Sequence, residues 1–422
     1  MGKKKKNKKK PLQQQPGGYK RFLRNMEATL SLFKIPNNLS DMDSKLKRRM
    51  FENNIRVQNP TAGNDYISSK ELKLFAEKTK SYYREKSYKY IDTKISTYQI
   101  QLVYCYLSAR AIEIEKETGI KKCPESIIIE QKSDKLLDMF YERYLLNYFR
   151  MITQMSKPDQ KYYGVYIRPA AVYKEKPRME LVTEIYGVPA QKCIMNINGI
   201  KRPAFRLGMA DCDKPVVWIS VDTKLLGDFY KGEKQVLKVF IQSHALKRIK
   251  ERLDLLDREA INYAIWENTK NIEQFEVYKS YLLLPFKVFD VKIGYLAANI
   301  VEDKLLFRTY LFITHNSTPE GDKLKKLTGL GKHDISYWKI DRLSTFINLN
   351  ENKHKDLIDI FCEAGLGSLM HLKDKEFDID TLQTASLNGL SKYINKGRNA
   401  SMVQANEWNT FLKEAELESE PI

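Results

Sequence analysis

The spacing of apolar residues changes several times along this chain of 422 residues, and each change predicts a different kind of element. From residue 65 to 157 the apolar positions recur at helical intervals. Ser68-Ser69-Lys70-Glu71 offers a helix start of the capping-box type, with Leu72, Phe75, Ala76 and Thr79 on the face that follows. Further helices are predicted over about 93–118, closed by Gly119, and over 133–154. The second of these carries Leu136, Leu137, Phe140, Tyr141, Tyr144, Leu145 and Tyr148 on one face, as a core stripe would. Between 158 and 235 the period falls to two. Tyr162–Ile167, Met179–Ile185, Lys192–Ile197 and Val216–Val221 read as strands punctuated by Asn198-Gly199 and other turn residues.

The segment 236–315 reads as strand, helix, helix and three strands. Val236–Ile241 leads into a helix beginning near His244, and a second helix covers Asp257–Asn268. Strands follow at Glu276–Leu283, Phe286–Tyr295 and Lys304–Thr314, with Glu302-Asp303-Lys304 at a hairpin tip. Strict alternation in the last strand places Arg308 and Tyr310 on one face and Phe307, Thr309 and Leu311 on the other. From 316 to 413 the pattern is again helical, opened by Ser317-Thr-Pro-Glu320 and punctuated by Gly329 and Gly331. Gly329-Leu-Gly-Lys332 lacks the spacing and the Ser or Thr of a phosphate-binding loop. The fold class is therefore α+β: a helical region at 65–157, a β-rich module at 158–235, a small antiparallel sheet with two helices at 236–315 and a helical C-terminal region. Residues 25–64 are expected to be weakly structured, and 414–422 form an acidic tail.

Charge adds a partner class to this picture. The formal net charge is +19, and Lys3, Lys4, Lys5, Lys6, Lys8, Lys9, Lys10, Lys20, Arg21 and Arg24 supply ten positive charges with no intervening acid. Residues 1–24 are expected to be a disordered basic arm that binds nucleic acid through its phosphates. Five cysteines form no CxxC pair, so a reducing, cytoplasmic setting is expected, either in a host cell or in a virion. No apolar run is long enough to span a membrane. His315, His333, His354 and His371 show no ligand spacing, and neither a metal nor a cofactor is expected.

The segment most pointed in its chemistry is His244-Ala-Leu-Lys-Arg248-Ile-Lys-Glu-Arg252. Steps of four keep His244, Arg248 and Arg252 on one stripe of a helix, about 12 Å long. Leu246, Ile249 and Leu253 fall on the inward side. Arginines grip a phosphodiester in two-point fashion, and histidine moves protons near neutral pH. The stripe has a bland alternative as a wet helix face paired to its own acids.

The His-Ala-x-x-Arg-x-x-x-Arg helix start and the element order of 236–315 resemble the RelE/ParE-like toxin superfamily, in particular a phage- and plasmid-borne branch. The resemblance covers about 80 residues. It implies an endoribonuclease that acts on RNA, with or without the ribosome, or, by the ParE analogy, an inhibitor that binds a host enzyme. On that reading His244 handles protons, Arg248, Arg252 and Arg308 stabilise the phosphorane, and Tyr310 and Tyr281 stack a base or orient the leaving group. The arginines should lower the pKa of His244 and favour the neutral imidazole. This chain is several times longer than such toxins, so reuse of the fold as a binding module is the competing expectation. In that case it is a phage or mobile-element protein packaged with nucleic acid. RNA is the favoured partner over DNA.

Overall fold

A computed structural model of the chain describes residues 16–36, 39–86, 88–90, 93–172, 178–210 and 215–374. It is an α+β protein in two compact units. The first comprises residues up to Met151 together with Val165–Gly187, and the second comprises Ile152–Gly164 and the chain from Val188 onward.

The first unit begins with a helix where disorder was expected. Helix α1 spans Pro16–Leu32, and its Phe22, Met26 and Leu30, spaced four apart, are buried. The arm predicted for 1–24 therefore has its last third inside a packed helix, with Lys20, Arg21 and Arg24 on the exposed side. Lys3 to Lys10 lie outside the described residues. The stretch 25–64 is also more ordered than expected. It holds the rest of α1, then α2 (Ser44–Asn53) and two short strands, β1 (Arg56–Val57) and β2 (Thr61–Ala62). Helix α3 (Ser69–Arg84) starts at the anticipated capping box, Ser68 and Glu71 each bonding the other's backbone. A small hairpin, β3 (Tyr88–Tyr90) and β4 (Thr93–Ile95), precedes α4 (Thr97–Thr118). Helix α4 ends at Gly119, where φ is +67°. Helices α1 and α2 close on α4 through Met26 and Leu30, Leu46 and Met50, and Leu102, Tyr106 and Ala109 respectively. Helix α5 runs over Pro124–Met155, nine residues earlier than the start expected at 133, because Pro124 sits at a favoured first-turn position. Its Phe140, Tyr144 and Tyr148 are core residues, while Leu145 is exposed. Strand β5 (Lys161–Val172) pairs with β6 (Arg178–Pro189), and β1 and β2 pair parallel to β6.

The second unit is built on one sheet of eight strands. Strands β7 (Lys192–Ile197) and β8 (Ile200–Arg206) form a hairpin. The strand expected at Val216–Val221 is broken into β10 (Val217–Trp218), which pairs with β9 (Gly208–Met209), and β11 (Ser220–Asp222). Then come β12 (Val236–Gln242), α6 (Ser243–Arg252), α7 (Arg258–Thr269), β13 (Glu276–Tyr278), β14 (Tyr281–Val288), β15 (Val291–Val301) and β16 (Lys304–Phe312). The strand expected at Phe286–Tyr295 is two strands. Phe289 and Asp290 turn the chain with φ of +50° and +65°, and Val288 pairs with Val291 across that turn. A Phe-Asp pair lacks the glycine that advertises such a turn. Glu302 and Asp303 make the expected second turn in the same way.

The strand order is β13-β14-β15-β16-β12-β8-β7, with β11 also on β12. Two expectations change here. The sheet of 236–315 is not a separate small sheet, because β7, β8 and β11 from the preceding β-rich stretch join it. Nor is it wholly antiparallel, because β12 and β16 pair parallel, from Lys238 opposite Lys304 to Ile241 opposite Phe307. One sheet face carries the main core, in which Val239, Ile241, Leu305 and Phe307 meet Ala245 and Ile249 of α6 and Leu253 just past its end. Leu246 is only partly buried against it. The C-terminal helices α8 (Pro319–Thr328), α9 (Lys332–Tyr337), α10 (Leu343–Ile347) and α11 (Lys355–Glu363) cover the same face. Thr318 caps α8, with Pro319 in its first turn, and Gly329 ends it at φ +71°, as expected. Residues 375–422, including the acidic tail expected at 414–422, lie outside the described residues. Among the described residues, no helix is long and apolar enough to cross a membrane.

Candidate phosphate-binding cavity

The parallel pairing of β12 with β16 creates the site. Strand β12 ends at Gln242, while β16 runs on to Phe312, and α6 packs beside this second half of β16. Where helix meets strand there is a cavity of about 620 Å³. All six residues proposed for it from the sequence line it: His244, Arg248, Arg252, Tyr281, Arg308 and Tyr310. So do Arg202, Gln242, Asn299, His315, Asn316, Lys332, His333 and Asp341. Its walls thus carry five permanent cations against one carboxylate.

Lining a cavity does not give these residues equal roles. Arg252 does not face outward as a free cation. It is paired with Asp341, and the two side chains retain only 17% and 7% of their exposure. An ion pair this buried holds the C-terminal end of α6 to the loop before α10. Asp254 strengthens the same junction by accepting from the Ser344 backbone N–H at 3.0 Å and from its hydroxyl at 2.7 Å. Arg248 does face outward, 40% exposed, and makes a pair with Glu251 at 2.8 Å along the same helix. Tyr310 is a core residue. It is 3% exposed, and its hydroxyl donates to the Ile293 carbonyl at 3.2 Å. Burial raises its pKa well above that of a free tyrosine. It can neither stack a base nor serve a leaving group.

A β-bulge explains that reversal. Ala297 pairs with Thr309 and Ala298 with Phe307, so Arg308 has no partner in the register. The extra residue breaks the alternation. Phe307 and Tyr310 then share the main core, and Arg308 is released at the cavity, with Asn299 Oδ1 at 3.4 Å as its hydrogen-bond acceptor. Arg202, Arg308 and Lys332 have no carboxylate partner among the described residues.

His244 and His315 are tuned toward neutrality. His244 is exposed, and partial desolvation, then Arg248 and Arg202, lower its pKa, with Glu251 opposing. The direction is the one expected, although the second arginine is Arg202 from β8 and not Arg252. His315 is pushed down to about 4 by burial, then by Lys332, Arg252 and Arg248, with Asp322 opposing. Its Nδ1 accepts the Ser317 backbone N–H at 3.1 Å, which leaves the ring proton of the neutral form on Nε2. Among the described residues no group of three histidine, cysteine or acidic side chains is placed to hold a metal ion. The four described cysteines, Cys105, Cys123, Cys193 and Cys362, are free thiols.

Arg202 and Lys332 escaped sequence reasoning because they reach the cavity from elements outside 236–315, and His315 because, just past β16, it shows no ligand spacing. Arg202 lies on β8, in a stretch read as a separate module. Lys332 follows Gly329-Leu-Gly, whose spacing excludes a phosphate loop and gives no other sign of a site. Comparison with protein-family models returns no match, and comparisons with curated proteins and with solved structures return none either.

Proposed function

We propose that this is an RNA-binding protein whose second unit grips a phosphodiester in the cavity between α6 and β16. The observation that carries this reading is the convergence of Arg202, Arg308 and Lys332, all without acid partners among the described residues, beside Arg248 and His244. Unpaired guanidinium groups on rigid elements are suited to a phosphate, which they meet with parallel, charge-assisted hydrogen bonds. The net charge of +19 favours an anionic polymer over a small anion. The resemblance of 236–315 to RelE-like toxins supports RNA over DNA.

One observation favours a catalytic extension of the same reading. His244 is solvent-accessible and held toward its neutral form beside Arg248 and Arg202. A neutral imidazole can take the proton from a ribose 2′-OH. The 2′-oxygen then attacks phosphorus, the 5′-oxygen leaves with a proton from water, and the products are a 2′,3′-cyclic phosphate and a 5′-OH. The arginines would stabilise the charge that builds on the phosphorane.

Binding and cleavage of single-stranded RNA, measured in a metal chelator, test both parts. His244→Ala should lower cleavage by about 100-fold and leave affinity nearly unchanged, because general base catalysis is worth roughly that much. Arg308→Ala should weaken affinity by roughly tenfold, as expected for loss of one hydrogen bond to a charged group. Full cleavage in His244→Ala would remove the catalytic extension. Absence of RNA binding by the wild type would remove the reading as a whole.

A further inference from the structure

One donor in the cavity wall is left over once the charges are accounted for. His315 stands just past β16 and lines the cavity. Its own chain occupies every polar atom of the residue but one. The backbone N–H donates to the Phe312 carbonyl at 2.9 Å. The backbone carbonyl accepts from the Thr318 N–H at 2.8 Å and from the Thr318 hydroxyl at 2.7 Å. Nδ1 accepts the Ser317 N–H at 3.1 Å. That leaves Nε2, which has no partner among the described residues and retains accessible surface.

The turn that carries this ring is held firmly. The Thr314 hydroxyl donates to the Ile340 carbonyl at 2.9 Å, and Thr318 caps α8. Gly321 of α8 comes so close to the His315 carbonyl that a Cβ there would collide with it. A ring fixed at its backbone on both sides and again at Nδ1 has little freedom to turn. Its Nε2–H is therefore in position before any ligand arrives, which keeps the ordering cost of binding low.

The surroundings define the ligand. The charges of Lys332 on α9 and of Arg252 and Arg248 on α6 act on the ring, against Asp322 of α8. Arg252 is taken up by Asp341, and Arg248 and Lys332 remain as the cations that can share a ligand with it. Arg248 also acts on His244, so one arginine links the two histidines. A fixed N–H among cations suits an anionic oxygen. We infer that His315 donates its Nε2–H to a phosphate oxygen of the bound RNA, beside Arg248 and Lys332. The inference rests on the RNA reading of the same cavity. Burial and the neighbouring cations keep the ring neutral above a pKa of about 4, so it polarises the phosphate without giving up its proton. It is a phosphate-binding residue and not the acid of a cleavage step.

Affinity for a hexamer of 2′-O-methyluridine, which carries the phosphates but has no 2′-OH to attack them, tests this between about pH 5.5 and 8. In His315→Asn, checked by thermal melting to be folded, the shorter amide can still accept the Ser317 N–H but does not extend to the place of Nε2. It should bind roughly tenfold more weakly than the wild type, as for one hydrogen bond to a charged group, and by the same factor across the pH range. His244 titrates in both proteins, so its effect cancels in the ratio. A factor that grows as pH falls would mean that the ring binds as an imidazolium, and equal affinities would mean that it does not touch phosphate. Either result would overturn the inference and leave the RNA reading standing. A second readout needs no variant. In NMR of isotope-labelled histidine rings of the wild type, His315 is recognised by its titration near pH 4, and its Nε2–H should move downfield when the hexamer is added. An unmoved resonance would overturn the inference. Failure of both this hexamer and its unmodified counterpart to bind the wild type would overturn the RNA reading itself.

Discussion

His315 shows how much a single backbone N–H can decide. The Ser317 amide occupies Nδ1, and burial with Lys332, Arg252 and Arg248 nearby holds the pKa at about 4. An unfolded histidine titrates near 6.5. Above that pH both states are neutral at this residue and it makes no difference to stability. As pH falls from 6.5 toward 4 the unfolded chain gains a proton that the folded chain does not, so stability is lost. The loss attributable to His315 reaches at most about 3 kcal/mol, from a shift of roughly two and a half units. In His315→Gln, which can still accept the Ser317 N–H, thermal melts between pH 4 and 8 should therefore show a shallower acid decline than in the wild type. Identical declines would mean that His315 is protonated in the folded state. None of this is legible in the sequence, where His315 is an isolated histidine with no ligand spacing. Tyr310 was misplaced for a related reason: alternation could not foresee the bulge at Arg308 that moves it from the cavity face into the core.

At the scale of the element, α6 was the most legible part of the chain. Its apolar spacing gave Ile249 and Leu253 to the core, and its four-residue spacing gave His244, Arg248 and Arg252 to one cavity. The spacing could not say that the stripe changes character along its length. Its two arginines differ in partner, because Asp341 approaches from a loop 89 residues beyond Arg252. Such a partner carries no local signal. Arg252→Met should thus destabilise the protein by about 3 kcal/mol, as expected when one member of a buried ion pair is removed. Arg248→Met should change stability by less than about 1 kcal/mol, since its pair with Glu251 is exposed to solvent. Chemical denaturation of the two variants distinguishes them, and equal losses would contradict the division of the stripe into a structural end and a binding end.

For the whole molecule, the α+β class and the strand–helix–helix start of 236–315 followed from the hydrophobic period, but four strands and not three follow the helices. The grouping of those elements did not. Residues read as a β-rich module and as a separate small sheet make one sheet, because β8 and β11 both lie along β12, and strand pairing over such distances leaves no mark in local spacing. That regrouping is what brings Arg202 to His244. It also shifts the emphasis of the charge. Lys20, Arg21 and Arg24 belong to a packed helix of the first unit, and the remaining seven lysines of Lys3–Lys10 are separate from the cavity in sequence. The central claim, that the cavity itself holds phosphate, is tested most directly by the salt dependence of RNA affinity. It should be measured for the wild type, for a chain lacking residues 2–10 and for Arg202→Ala/Arg308→Ala. With two phosphate contacts removed, the double variant should lose at least tenfold in affinity, and its slope of log K against log salt should fall by about 1.5 to 2. The same drop should appear when the two substitutions are made in the shortened chain. A double variant with wild-type affinity and slope, beside a shortened chain that has lost all salt dependence, would contradict the account.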